Sequence, residues 1–135
     1  MKKITILFCF ISAIFVQIFC SKKETINWNE IVSFKLYESI TFDDFQKMDE
    51  TELSSHMAKD IDVSLIKPQI LKFEKTSDMW LWKGEKYAVA AFRNGNKLKL
   101  KISWYGGFLS IIGTKDSYTL RQTADIESWQ SLLAH

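Results

Sequence analysis

The chain has 135 residues, 47% hydrophobic, 14% aromatic and 25% charged, with one proline and five glycines. That size and mix describe one packed domain; they exclude a disordered or low-complexity chain and leave too little for two ordinary domains. The formal charge of +2 rests on Lys2 and Lys3: without them the 18 basic residues fall to 16 and balance the 16 acids, so global charge gives no argument for nucleic acid as a partner.

Residues 1–20, MKKITILFCFISAIFVQIFC, read as a targeting segment and are set aside from the fold. Two lysines open it, and the uncharged run Ile4–Phe19 is shorter than the roughly 20 residues that cross a bilayer comfortably. Export with cleavage is the first expectation, and a retained signal anchor is the alternative. Cys20 closes the run and is followed at once by Ser21, Lys22, Lys23 and Glu24. The only other cysteine is Cys9, so no disulfide can form within the sequence after residue 20. This boundary resembles a bacterial lipoprotein signal in a relaxed form, with Gln17, Ile18 and Phe19 ahead of the cysteine. The resemblance implies a signal peptide over 1–19, lipidation of Cys20, a tether over 20–27, and a membrane partner engaged through the N-terminal lipid anchor. It places the protein in the cell envelope, facing the periplasm or exterior.

Residues 28–135 read as a single α+β domain. Val32, Phe34 and Leu36 alternate with polar positions and predict a strand within Trp28–Glu38, although Trp28, Ile31, Val32 and Leu36 also share a helical face. Thr41 can cap a helix over Phe42–Asp49 that buries Phe42, Phe45 and Met48, with Asp44 three residues on and acids in its first turn. A second helix is expected over Glu52–Lys59, capped by Thr51, with Leu53, His56 and Met57 on one stripe. Asp62–Lys75 reads as a third, burying Leu65, Ile66, Ile70 and Phe73, with strand as the alternative for Ile70–Lys75; Pro68 must sit in its first turn or break it. Together these make a helical block over 42–75.

An antiparallel meander of about five strands then spans 79–120: MWLW, EKYAVAAF, KLKLKISW, FLSII and SYTL alternate with KG, RNGN, YGG and GTKD. A hairpin closing at Gly84-Glu85 sets Trp82 beside Tyr87. A two-residue Asn94-Gly95 turn sets Ala91 opposite Leu98 and Val89 opposite Leu100. Turns at Gly106-Gly107 and over 113–116 set Ile102 opposite Ile111 and Leu109 opposite Leu120. This register gathers Tyr87, Val89, Leu98, Leu100, Ile102, Leu109 and Ile111 on one core face. A three-residue loop at Asn94–Asn96 instead puts Tyr87 and Val89 beside lysines and fits the pattern less well. The chain closes with a helix over Ala124–His135 that buries Ile126, Trp129, Leu132 and Leu133 against the meander. A tryptophan-bearing helix after a meander resembles the end of pleckstrin-homology-type domains, at this corner only, and implies no ligand.

The chemistry is mostly negative. With His56, His135 and an acylated Cys20, the mature chain cannot assemble the usual His/Cys zinc set, and it has no HExxH, EF-hand loop, P-loop, GxGxxG or GxSxG. His56 reads as structural, the pairs Asp43/Asp44 and Asp49/Glu50 as helix-start acids, and the glycines of Tyr105-Gly106-Gly107-Phe108 as a tight turn. No catalytic residue, cofactor or metal is expected, and the protein is not expected to be an enzyme. Charge is segregated: residues 38–62 hold eight acids against two lysines, and 67–101 hold nine bases against three acids, as for acidic helices beside a lysine-bearing sheet.

The second face of the meander is too apolar to be simply wet. Ala88, Ala90, Lys97, Lys99, Lys101, Tyr105 and Phe108 form the candidate ligand or partner face, with Trp28 and Tyr105 as exposed aromatic contacts. The functional expectation is a non-enzymatic binding or interaction domain, with a protein as candidate partner. The alternative is an inhibitor or immunity-type protein that neutralises an enzyme through a protein interface.

Overall fold

The computed structural model describes residues 26–77, 85–103 and 105–134. Within them the chain is α+β: four α-helices and a seven-stranded antiparallel sheet. A 3-10 turn at Trp28–Glu30 leads into β1 (Ile31–Tyr37), followed by α1 (Phe42–Lys47), α2 (Glu50–Leu53), β2 (Ala58–Asp60), α3 (Val63–Ile70) and β3 (Glu74–Thr76). The meander strands are β4 (Glu85–Phe92), β5 (Lys97–Ser103), β6 (Phe108–Ile111) and β7 (Ser117–Thr119), and α4 (Thr123–Ala134) closes the chain. The expected strand over MWLW lies outside the described residues, as does Gly84 of its expected hairpin turn.

Sheet order is β2-β1-β4-β5-β6-β7-β3, so the meander is extended on one side by β1 and β2 and on the other by β3. Neither three-residue edge strand follows from periodicity. Ala58–Asp60, with Ala58 and Lys59 expected to be helical, pairs with Lys35–Tyr37 of β1. The expected helix over Glu52–Lys59 is instead the short α2, capped by Asp49, whose Oδ1 accepts from the Glu52 N–H at 2.8 Å. It stops because the Ser54 and Ser55 hydroxyls donate back to the Thr51 and Glu52 carbonyls and compete with helix propagation. Met57 is consequently 91% exposed rather than packed. In α3, Asp62 is the cap and Ile66 and Ile70 are buried, but Leu65 is exposed, and Pro68 lies inside the helix two residues before its end. Glu74–Thr76 then runs as a strand. Helix α1 starts as expected, Thr41 Oγ1 accepting from the Asp44 N–H at 3.2 Å, but it ends at Lys47; Phe45 is fully buried, and Phe42 and Met48 are partly so.

The β4–β5 hairpin corrects the predicted register by one residue. Gly95 N–H donates to Phe92 O and Phe92 N–H donates to Asn96 O, both at 2.9 Å, closing a three-residue loop of Arg93, Asn94 and Gly95 with Gly95 at φ +89°. This is a tight turn followed by a glycine bulge. Ala91 therefore faces Lys97, Val89 faces Lys99 and Tyr87 faces Lys101. Because side chains alternate, a one-residue slip moves Tyr87 and Val89 to the lysine face and sends Ala88, Ala90 and Phe92 into the main core. The other two hairpins are each shifted by two residues, Ile102 facing Leu109 and Leu109 facing Tyr118, which leaves every side chain on its predicted face.

The sheet thus has two apolar faces, each covered by helices. On the first, Phe34, Leu36, Ala88, Ala90, Leu100, Ile102, Leu109 and Ile111 pack against Ile66 and Ile70 of α3 and Trp129 and Leu133 of α4. Phe34 and Leu36 of β1 stand directly opposite Ala90 and Ala88, so large side chains alternate with small ones and the helices can approach. On the second face, Tyr37 and Tyr87 pack with Phe45 of α1 and Leu53 of α2. The Phe45 and Tyr87 rings stack at 5.3 Å between centroids.

Candidate functional site

The structure does not bring the seven residues of the predicted contact face together on an open surface. Ala88 and Ala90 have no exposure and lie on the opposite side of the sheet from the lysines, a direct result of the β4–β5 register. Phe108 is buried at 3% exposure, and Tyr105 stands apart in the β5–β6 turn at 58%. The Tyr105 carbonyl accepts a hydrogen bond from Gln130 Nε2, tying that turn to α4. Trp28, expected as an exposed contact, is half-buried, its ring against Phe92 at 5.8 Å and edge-on to Tyr118 at 6.2 Å.

The three β5 lysines instead meet the helices laid over them. Lys99 Nζ donates to the carbonyls of Phe45 (2.8 Å), Gln46 (3.3 Å) and Met48, the last turn of α1, where helix carbonyls lack intrahelical partners and the dipole is negative. It also lies 5.4 Å from the Phe45 ring centroid. Lys101 pairs with Glu85 at 3.2 Å and sits 5.0 Å from the Phe42 ring, and Lys97 pairs with Glu50 of α2 at 3.0 Å. The segregation of charge along the sequence therefore corresponds in part to acidic helices seated on basic strand positions. Burial raises the phenol pKa values of Tyr37 and Tyr87 on this face, and that of Tyr118 on the other; Glu85, accepting from the Tyr87 hydroxyl at 2.7 Å, raises Tyr87 further.

A pocket of about 590 Å³ opens at the end of the sheet where the β4–β5 and β6–β7 loops lie side by side and the chain enters the domain. Ile26, Phe92, Leu98 and Ile111 form its apolar wall. Its polar lining comes from both hairpin loops, through Arg93, Asn94, Asn96, Thr114 and Asp116, and from Asn27 and Glu30 beside the 3-10 turn. Glu30 pairs with Arg93 Nε at 3.3 Å, and Asp116 pairs with Lys75 at 3.1 Å. Volume and composition both suit a small-molecule site, which usually occupies roughly 300–1,000 Å³ and combines apolar walls with a few polar groups.

Sequence reasoning missed this site because its wall comes from positions as far apart as Ile26 and Ile111. A usable signal was present: alternate hairpin loops of a meander emerge at the same end, so RNGN and GTKD had to be neighbours. A second, more open groove of about 840 Å³ runs between β2, α3 and α4, past Asp60, Asp62, Leu65, Gln69 and Leu132. Among the described residues, no group of three or more His, Cys, Asp and Glu is placed to hold a metal ion, and no helix is long and apolar enough to cross a membrane. Compared with protein-family models, curated proteins and solved structures, the chain gives no match.

Proposed function

We propose that the chain is a small exported binding module, tethered to the membrane through Cys20, that holds one small molecule in the pocket at the hairpin ends and performs no reaction on it. The observation that carries this reading is the pocket itself: an apolar wall of Ile26, Phe92, Leu98 and Ile111 under a polar mouth. Ile26 and Asn27 belong to its lining, and five residues lie between Cys20 and Ile26, so the pocket can stand no farther than roughly 20 Å from Cys20. A tethered pocket so placed works close to the bilayer surface.

The test is methyl NMR of the folded domain titrated with the neutral apolar probe Nile red. Shifts centred on Ile26, Leu98 and Ile111, with Leu53 of the opposite face unmoved, support the reading; shifts spread over both faces, or none, overturn it. The anchor is tested separately by labelled palmitate, where label that persists in Cys20→Ala removes the tether. A protein partner, as in the inhibitor alternative, has one feature in its favour: Leu65 lies in the open groove at 56% exposure. Stoichiometric capture of an enzyme, lost in Leu65→Lys, would select that reading instead.

A further inference from the structure

Resting on that reading of the pocket, we infer that its ligand is a single-chain amphiphile with an oxyanion head, such as the carboxylate of a fatty acid or the phosphate of a monoalkyl phosphate. The wall sets the tail. Ile26, Phe92, Leu98 and Ile111 present no hydrogen-bonding side chain, and Phe92 is held by the Trp28 ring.

The mouth sets the head through an excess of donors. Asn27 Oδ1 accepts from the Asn29 N–H at 3.2 Å, and Asn94 Oδ1 accepts from the Asn96 N–H at 2.9 Å. Each side-chain amide thus turns its oxygen towards the backbone and can present its NH₂ end as a donor to a ligand. Arg93 adds a guanidinium with five N–H donors, of which Glu30 engages the one on Nε. Thr114 has no spare proton, because its hydroxyl donates to Ile111 O while accepting from the Asp116 N–H. The two carboxylates at the mouth are each matched by a cation, Glu30 by Arg93 and Asp116 by Lys75. The matched charges cancel, and the remaining amide and guanidinium protons, exposed at the mouth, can be donated to oxygen acceptors on a ligand. A carboxylate or phosphate supplies two or three at one point, and a planar oxyanion suits the guanidinium fork in particular.

Isothermal titration of the domain with dodecanoate, dodecyl phosphate, dodecanol and dodecylamine tests this, alongside methyl NMR with each. The expected order is both anions tighter than the alcohol, with the amine weakest and shifts at Ile26, Leu98 and Ile111. Preference for dodecanoate over dodecyl phosphate, or the reverse, separates the two head groups. Arg93→Met is expected to weaken anion binding at least about tenfold, leave dodecanol unchanged and strengthen dodecylamine, because Glu30 is then uncompensated. Arg93 is 73% exposed at its side chain, so the fold tolerates the change. If Nile red enters the pocket but the amine binds as well as the anions, the head-group assignment is wrong while the pocket stands. If neither Nile red nor any dodecyl compound moves those methyls, both fall together.

Discussion

Replacing Lys99 with methionine tests whether the β5 lysines are structural or form a contact surface. Methionine keeps an unbranched apolar stem of similar reach, so packing beneath α1 is retained while the ammonium is lost. The carbonyls of Phe45, Gln46 and Met48 then face a group that cannot donate. A hydrogen bond from a charged group is worth about 1.5–3 kcal/mol net, and a cation at a helix C-terminus adds about 0.3–1 kcal/mol. Part of this is offset because the ammonium no longer has to leave water, so the expected loss is about 2 kcal/mol. For a domain near 100 residues that is roughly 10 °C in Tm. The control is Lys97→Met, whose ion pair with Glu50 joins side chains 44% and 73% exposed and is worth about 0.5 kcal/mol or less. Urea unfolding of both variants gives the comparison. Equal stabilities for the two variants would refute the assignment of Lys99 as the C-terminal cap of α1.

Ala90→Leu is expected to cost about 1–3 kcal/mol in the same assay, because Ala90 is fully buried opposite Phe34 and Leu98; a neutral result would restore the register that leaves Ala90 on the other face. Gly107→Ala is expected to destabilise more than Gly95→Ala: both glycines have positive φ, but a Cβ at Gly107 meets Ile126 at 2.9 Å and Leu120 at 3.2 Å, whereas nothing lies within 4 Å at Gly95. Equal thermal shifts for the two would contradict the close seating of α4 on this turn. Raised phenol pKa values make the folded state bind protons more tightly than the unfolded one, so the contribution of Tyr37, Tyr87 and Tyr118 is full below pH 10.0 and is lost as pH rises past it. Absorbance at about 295 nm, followed with circular dichroism, should show phenol ionisation in the folded domain reaching to higher pH than in the unfolded chain; identical titration in the two states would count against the burial of Tyr37 and Tyr87.

Elements defined by local chemistry were legible in the sequence. Thr41 announces α1, the Trp129 stripe announces α4, and alternation at Phe34 and Leu36 announces β1, each through signals within a few residues. The β4–β5 register was not legible, since RNGN serves a two-residue turn on Asn94-Gly95 as readily as a three-residue loop ending at Gly95. The deciding interaction is remote: β1 pairing sets Phe34 opposite Ala90 and Leu36 opposite Ala88, committing the alanines to the core. Polar edge strands such as Ala58–Asp60 carry no periodicity to read, and the pocket depends on residues that only the completed sheet brings together.

The corrected register also changes which surfaces of the sheet are left open. Once both sheet faces carry apolar residues, both need cover, and the covering helices leave carbonyls at their C-termini near strand lysines. Lys99 meets those of α1 on one face, while Lys86, paired with Glu38 at 3.0 Å, donates to Leu133 O of α4 at 3.1 Å on the other. Lysine at a strand position need not mark a surface for anions; here a long stem crosses apolar ground and an ammonium completes a helix end. With those lysines engaged and the faces under helices, the ends of the strands become the better place for a ligand. At the end shared by two hairpin loops and the incoming chain, backbone turns bring asparagine amides and Arg93 around an apolar opening. The loop side chains there, Arg93 and Asn94 among them, are exposed and can vary without unsettling the sheet, whereas the wall residues Phe92 and Ile111 belong to the core.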